Sequence, residues 1–441
     1  MVSLTDRQQN DLELAIFHYL TSRKNKFSQT LAAFQLDSNI GDIPTNARYD
    51  GILEKKWVAV LRLQKKVLEL ETRIKSLQEE LENASSPAQR GSAVVDWVPK
   101  PGASPRHSLA GHRSPITSVA FHPIFSMLAT ASEDSTIKIW DWETGEFERS
   151  LTGHTRDVKC VDFHPKGSFL VSASSDLTLR LWDTELWGRR GYSGQTMHGH
   201  DHTISSARFL NSGDYIVSAS RDRTIKIWEV VTKFCIRTIA AHDDWVRSVT
   251  PSSDDRLLVS CSNDHMARVW EFKNGQMKVE LRGGHDRQVE VAVFAPVNSY
   301  PYIRELVGLQ DDGNEPGLFV FTGGRDNLII IWETQSGRQL KTLIGHDGWI
   351  RGLEFHPSGK FLISASDDKH MRVWDVSTGR CTRVIQAHSH FVTCIAWGRT
   401  THGSGQNGVN GDAPVNGNVA KKRANVIATG GVDLVVNIWT P

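Results

Sequence analysis

The chain has 441 residues, 39% hydrophobic and 23% charged, with a formal net charge of +1. This is the composition of an ordinary globular protein, and the near-zero charge excludes a global pull toward nucleic acid or anionic membrane. Five cysteines (Cys160, Cys235, Cys261, Cys381 and Cys394) show no CxxC spacing, so neither a zinc site nor a disulfide framework is expected.

The start, Met1-Val-Ser-Leu-Thr-Asp-Arg, lacks the basic-then-apolar profile of a signal peptide. No apolar run reaches the roughly 18 residues needed to span a bilayer. Both observations point to a soluble chain of the cytoplasm. Residues 1–40 read as a helical pair: Leu12, Ile16, Tyr19 and Leu20 recur at helical spacing, then a polar break, then Leu31 and Phe34. Isolated helices this short are marginal in water, so a self-associating dimerisation motif is expected.

Residues 41–82 hold a connecting segment and a heptad. Leu53, Val60, Val67, Ile74 and Leu81 fall seven apart, and Leu63, Leu70 and Leu77 take the partner position. β-Branched residues at the first position with leucine at the second favour a parallel two-stranded coiled coil. Lys56 interrupts the first heptad, and the alternative is one amphipathic helix lying on the next domain. Residues 83–105, rich in Ser, Ala, Gly and Pro, read as a flexible linker, with Trp97 and Val98 standing out in it as apolar.

From residue 106 to 441 a unit recurs seven times. It opens on His112, His154, His200, His242, His285, His346 and His388, each preceded by Gly or Ala, and closes on Asp and Trp six apart. The pairs are Asp134 with Trp140, Asp176 with Trp182, Asp222 with Trp228, Asp264 with Trp270, Asp326 with Trp332, Asp368 with Trp374 and Asp433 with Trp439. In five units the His-to-Asp separation is 22 residues (134 − 112, and likewise from 154, 200, 242 and 346). Such marks at a period of roughly 40–45 residues identify four-stranded WD-type blades. The predicted fold is an all-β seven-bladed WD-repeat β-propeller, preceded by a small α-helical dimerisation motif and a parallel coiled coil. The last unit lacks a fourth strand and residues 106–110 are spare, so pairing the two closes the ring and removes an open edge.

Four residues before each Asp stands a hydroxyl residue: Thr130, Ser172, Ser218, Ser260, Thr322, Ser364 and Thr429. A Ser-His-Asp set invites a hydrolase reading. One active site needs one such set, however, and here it recurs in every unit. The set therefore reads as structural, with Asp holding His, His bonding the hydroxyl and the hydroxyl meeting the indole N–H. No catalytic residue, cofactor or metal is predicted. His198, His200 and His202 alternate along an extended segment, but His200 is committed to its blade.

A meander alternates its turns between two ends, so the Gly-His connection and the Asp turn share one face of the propeller. The insertions, near residues 187–194, 297–317 and 398–423, fall on the other. On the open face the third residue after each key His is Pro115, Asp157, Thr203, Trp245, Gln288, Trp349 or Phe391. The fifth is Thr117, Lys159, Ser205, Arg247, Glu290, Arg351 or Thr393. The residue before the turn Asp is Glu133, Ser175, Arg221, Asn263, Arg325, Asp367 or Val432, and Lys369 follows it in unit six. Exposed Trp and Arg, the types enriched at binding hot spots, thus concentrate on units three to six, implying an acidic partner. The bland alternative is a set of scattered solvated charges. Lys421-Lys422-Arg423 has the composition of a nuclear-import patch, though three basic residues in an insert are usually just solvated.

Specific stretches go beyond a generic WD protein: Leu53-Glu-Lys-Lys-Trp57, Arg62-Leu-Gln-Lys-Lys66, Gly111-His-Arg-Ser-Pro115, Met197-His-Gly-His-Asp-His202, Ser218-Ala-Ser-Arg-Asp222 and Gly345-His-Asp-Gly-Trp349. With the order helical pair (LisH-like), coiled coil, linker and seven repeats, the chain resembles the lissencephaly/nuclear-distribution family of cytoplasmic dynein regulators, in its filamentous-fungal branch. The resemblance implies a homodimer that binds the dynein heavy chain in its motor domain, and coiled-coil nuclear-distribution proteins as further partners. It also implies an indirect link to microtubules, with plus ends and spindle poles as the location and nuclear migration and spindle positioning as the roles. The family's motor-binding positions fall on Arg221, Arg247, Arg325, Trp349 and Lys369; Trp245, Arg351 and Phe391 join them from spacing alone. The helical break, Arg23-Lys-Asn-Lys-Phe27, lacks the family's usual glycine. Two alternatives stay open: a WD-repeat reader of phosphorylated degrons in a ubiquitin ligase, and a LisH/WD-repeat transcriptional co-repressor.

Overall fold

A computed structural model of the chain describes residues 97–187, 192–309, 313–401 and 423–441, together with Ile16 and Leu20. Ile16 and Leu20 have helical backbone. The other candidate dimerisation residues (Leu12, Tyr19, Leu31, Phe34, Val60, Leu63, Val67, Leu70, Ile74 and Leu77) and Lys421 and Lys422 lie outside the described residues.

From His107 onward the described residues form seven four-stranded antiparallel sheets. Six are simple meanders, each strand pairing with the next in sequence. The seventh is built from both ends: Val392–Thr401, Arg423–Gly431 and Val435–Trp439, with His107–Ala110 as the outer strand. His107 lies opposite Ile438 and Ala110 opposite Val435, which closes the ring as the spare segment predicts.

The core lies between neighbouring sheets. Ala129, Ile137 and Leu151 of blade one pack with Val158, Leu170 and Trp182 of blade two, and comparable clusters fill the other seams. Each fully buried apolar side chain contributes about 1.5–3 kcal/mol, so the seams dominate stability. Polar contacts hold the register across them. Thr117 Oγ1 donates to the Val158 carbonyl at 2.6 Å, and the His122 ring meets the Gly167 carbonyl at 3.1 Å. Gly167 and Gly213 stand at φ +75° and +84°, where a Cβ would come within 2.4 Å of His122 and 2.3 Å of His164. Those turns admit only glycine.

Two details depart from the expectations, in the linker and in blade seven, and a third, in blade five, adds to them. Trp97 and Val98 do not belong to a free tether. Val98 is buried with Ile385, Ala387 and Trp439, and Trp97 meets Trp397 at 6.4 Å between ring centroids. Arg383 donates to the carbonyls of Val98 and Pro99, as Arg237 donates to the Phe272 carbonyl of the next blade at 2.8 Å. Within the blade-five insert the helix Tyr300–Val307 buries Tyr300 and Ile303, and the Leu318 N–H donates to the Tyr300 hydroxyl at 3.1 Å. In blade seven the first two strands reach Thr401 and Arg423, so part of the expected insert is strand.

Candidate functional site: the open face of blades three to six

Seven polar quartets underlie this face. In blade three, Asp222 Oδ2 lies 2.6 Å from His200 Nδ1, His200 Nε2 lies 2.7 Å from Ser218 Oγ, and the Trp228 indole N–H donates to that hydroxyl at 2.8 Å. The other six repeat it, with His-to-hydroxyl distances between 2.6 and 2.9 Å. Their indoles close the quartets in the same way. Trp140 donates to Thr130 at 3.0 Å, Trp182 to Ser172 at 2.9 Å and Trp270 to Ser260 at 2.8 Å. Trp332 donates to Thr322 at 2.8 Å, Trp374 to Ser364 at 2.9 Å and Trp439 to Thr429 at 3.1 Å. These tryptophans are also core residues: Trp140, Trp270, Trp332 and Trp374 are all buried, and each packs into the apolar cluster of its seam.

Every quartet member is buried or nearly so and spends its polar atoms inside the blade, so the arrangement pins strand to strand and leaves no free nucleophile. His200 uses both ring nitrogens in this way, which removes it from any metal set with His198 and His202. Among the described residues no group of three His, Cys, Asp or Glu could hold a metal ion.

The turn Asp does a second job. Its Oδ1 accepts the N–H two residues on, from Thr136, Thr178 or Thr224 for example, at 2.9–3.0 Å. This Asx turn holds the residue after each Asp in the left-handed region: Ser135, Leu177, Arg223, His265, Asn327, Lys369 and Leu434 have φ between +66° and +73°. A non-glycine residue there costs about 1–2 kcal/mol, offset by the Asp contacts. The rigid turn fixes the side chains on either side of it, which is how the fold aims the residue before each Asp.

Those aimed side chains converge in two stacks. Arg221 and Arg247 lie over the Trp245 ring, at 4.5 and 5.5 Å from guanidinium carbon to centroid. Arg325 and Arg351 lie over the Trp349 ring at 4.2 and 4.9 Å. Both tryptophans are half-buried beneath guanidinium planes, not exposed as their spacing had suggested. Cation–π stacking of this kind contributes about 0.5–2 kcal/mol per pair and holds long side chains still before any partner arrives.

Glu290 sits beneath, its side chain only 9% exposed. It accepts from Arg325 Nε at 2.5 Å and lies 3.6 Å from an Arg351 terminal nitrogen and 3.8 Å from Arg247 Nε. Asp367 takes Arg351 bidentately, both bonds at 2.9 Å. Arg247 Nε donates to Asn263 Oδ1 at 2.7 Å. Arg221, Arg247, Glu290 and Arg351 also line the mouth of a ≈ 870 Å³ axial cavity walled by the inner strands of all seven blades. Burial pulls the Arg247 guanidinium below its ordinary range; Glu290 opposes the shift, and Arg325, Arg221 and Arg351 add to it. Burial also weighs on Arg351, but the Asp367 hydrogen bond and the nearness of Glu290 leave it raised.

Six of the sequence-predicted positions therefore form one unit: Arg221, Trp245, Arg247, Arg325, Trp349 and Arg351. Lys369 stands exposed on its left-handed turn, and Phe391 is 41% exposed on blade seven with its ring 4.4 Å from His390. No contact joins either to the stacks among the described residues. Glu290, Asn263 and Asp367 stand at the same repeat offsets, but spacing alone assigned them no role. Their equivalence of offset to Arg247 and to the pre-turn arginines was the available signal.

Seven WD blades closed into a ring define a WD-repeat β-propeller protein. A family profile described as "WD domain, G-beta repeat" matches residues 103–141, 145–183, 191–229, 233–271 and 337–375. It passes over blades five and seven, whose His and Asp are separated by inserts. The chain is 44% identical over 469 residues to "Nuclear distribution protein PAC1" of Coccidioides posadasii, covering 99% of both chains. It is 45% identical over 455 residues to the PAC1 protein of Tuber melanosporum, covering 99% of this chain and 98% of that one. It is 42% identical over 456 residues to "Nuclear distribution protein nudF" of Aspergillus niger, covering 99% of both. The chain belongs to this family of fungal nuclear distribution proteins.

Proposed function

We propose that this protein is a non-enzymatic, dimeric regulator of cytoplasmic dynein. It binds the heavy-chain motor domain through the open face of blades three to six and acts in nuclear migration, spindle positioning and microtubule-based transport. The observation that carries the reading is the pair of arginine–tryptophan–arginine stacks, a preorganised cationic surface at the positions where the resemblance puts motor contacts. Lys369 and Phe391 extend the contact at its rim. Four guanidiniums against two carboxylates leave a local excess of positive charge that selects an acidic partner surface.

The test is binding of the purified chain to a cytoplasmic dynein motor domain, beside an Arg247→Ala/Trp349→Ala variant that melts like wild type. Each truncation removes a central anchor worth about 2 kcal/mol, so the double variant's affinity is expected to fall by roughly 700-fold. Wild-type protein that does not bind the motor domain would transfer the face to a phosphodegron or co-repressor role.

The dimer is proposed from residues 1–82, the helical motif of 1–40 and the coil within 41–82, with residues 83–96 as the tether. Two tethered propellers engage two motor domains with a gain in avidity. Leu63→Asp/Leu70→Asp is expected to halve the mass seen by sedimentation and leave the propeller's melting unchanged. Regulation of motility by that proven monomer at the wild-type concentration would contradict the avidity reading. Coiled-coil nuclear-distribution proteins are proposed as further partners, and the cytoplasm, at microtubule plus ends and spindle poles, as the location.

A further inference from the structure

The two stacks are copies of one device, and only one of them has its arginines hydrogen-bonded to the chain's own carboxylates. Arg221, Trp245 and Arg247 occupy the same repeat positions on blades three and four as Arg325, Trp349 and Arg351 on blades five and six. On blades five and six, the fifth residue after the key His is Glu290 and the pre-turn residue is Asp367; both carboxylates bond the arginines. On blades three and four, Ser205 and Asn263 stand in those two places. The consequence is visible at atom level. Arg325 Nε has its carboxylate, whereas Arg221 Nε is buried with no hydrogen-bond acceptor. Arg247 meets a neutral amide, with Glu290 beyond hydrogen-bond distance at 3.8 Å. The chain thus carries, in blades five and six, an image of what the other stack lacks.

We propose that the Arg221–Trp245–Arg247 stack is an open seat for carboxylates from an acidic segment of a protein partner, while the Arg325–Trp349–Arg351 stack is the same seat filled by the chain's own Glu290 and Asp367. The proposal rests on the reading of this face as the docking face, but not on dynein being the partner. The asymmetry orients the partner: its acidic side chains meet blades three and four, and its apolar or neutral surface meets blades five and six. Burying an unpaired guanidinium is costly and pairing it with a carboxylate removes that cost, so the open seat discriminates charge while the filled one supplies rigid area.

A labelled oligoglutamate peptide tests the seat without dynein. Asn263→Asp and Ser205→Glu each supply the missing internal carboxylate. Each is expected to weaken peptide binding about tenfold or more while melting at or above the wild-type temperature. The two variants act at different atoms, so misfolding of one leaves the other as the measurement. The reciprocal Asp367→Asn is expected to open the second seat and tighten binding severalfold. Peptide affinity unchanged in both Asn263→Asp and Ser205→Glu, or no binding by wild type at low salt, overturns the proposal. So does binding of a phosphoserine peptide where oligoglutamate fails. Motor-domain binding measured in parallel reads only the identity of the partner: its absence beside the expected peptide pattern removes the dynein reading and keeps the seat.

Discussion

Deletion of residues 435–441 is expected to unfold the whole propeller and not merely to shorten one blade. The strand Val435–Trp439 pairs with Arg423–Gly431 on one side and His107–Ala110 on the other, so its loss detaches the closing strand as well. Val436, Ile438 and Trp439 are 0%, 0% and 2% exposed. Their burial alone contributes about 6 kcal/mol at roughly 2 kcal/mol each, within the 5–15 kcal/mol that holds a typical domain folded. Asn437 adds bonds to the Ala387 carbonyl at 2.8 Å and from Ser108 Oγ at 2.7 Å. The deletion also strips Thr429 and His388 of the indole that completes their quartet. Circular dichroism and limited proteolysis measure the outcome. A truncated chain that melts within a few degrees of the full one would show that the closing strand is dispensable.

The blade architecture was legible because the device that holds each blade is also its sequence mark. A His, a hydroxyl, an Asp and a Trp must meet across three strands, so the hydroxyl-to-Asp and Asp-to-Trp spacings survive even in blades five and seven, where inserts part the His from them and defeat a profile of fixed length. The aim of the open-face arginines followed from the same periodicity. What was not legible lies in contacts between positions far apart in the chain. Val98 docks beside Trp439 across more than three hundred residues; its apolarity beside Trp97 marks it within the linker, but nothing in the sequence names the partner. The helix Tyr300–Val307 is short and is held by packing against blades five and six, not by its own propensity. Glu290 serves arginines from blades four, five and six at once, a relation of ring geometry that a linear reading of offsets places on the right face but does not connect.

Replacing Asp368 by Ala is expected to destabilise the propeller by about 3 kcal/mol. Asp368 is 6% exposed at its side chain. It accepts from His346 Nδ1 at 2.6 Å, from the Asp347 N–H at 3.2 Å and from the His370 N–H at 3.0 Å. Truncation leaves the His346 ring and the His370 N–H without an acceptor in buried and half-buried surroundings, each worth about 1–3 kcal/mol, and removes the cap that keeps Lys369 at φ +73°. By the usual scaling for a domain of this size the melting temperature falls by roughly 4 °C. Asp368→Asn, which keeps one acceptor oxygen, is expected to lose about half as much. The same pair sets the response to acid. Burial holds His346 below its ordinary range, against the opposing pull of Asp368. The folded state therefore resists a proton that the unfolded chain takes up below about pH 6.5, and stability falls as pH drops from there. Burial pushes the Asp368 carboxyl up, but its His346 and backbone hydrogen bonds outweigh that and hold it at about 2. Its contribution is complete above the unfolded value near 4 and is lost as pH falls from 4 toward 2. His112 and His154 are lowered in the same sense, and Asp134 and Asp433 are also held at about 2, so the two stages recur around the ring. Denaturant melts at stepped pH are expected to show both limbs in wild type, and in Asp368→Ala a shallower one below pH 4. A variant as stable as wild type at pH 7 would mean that the quartets are dispensable to the fold, and the seven-fold mark would then need another cause.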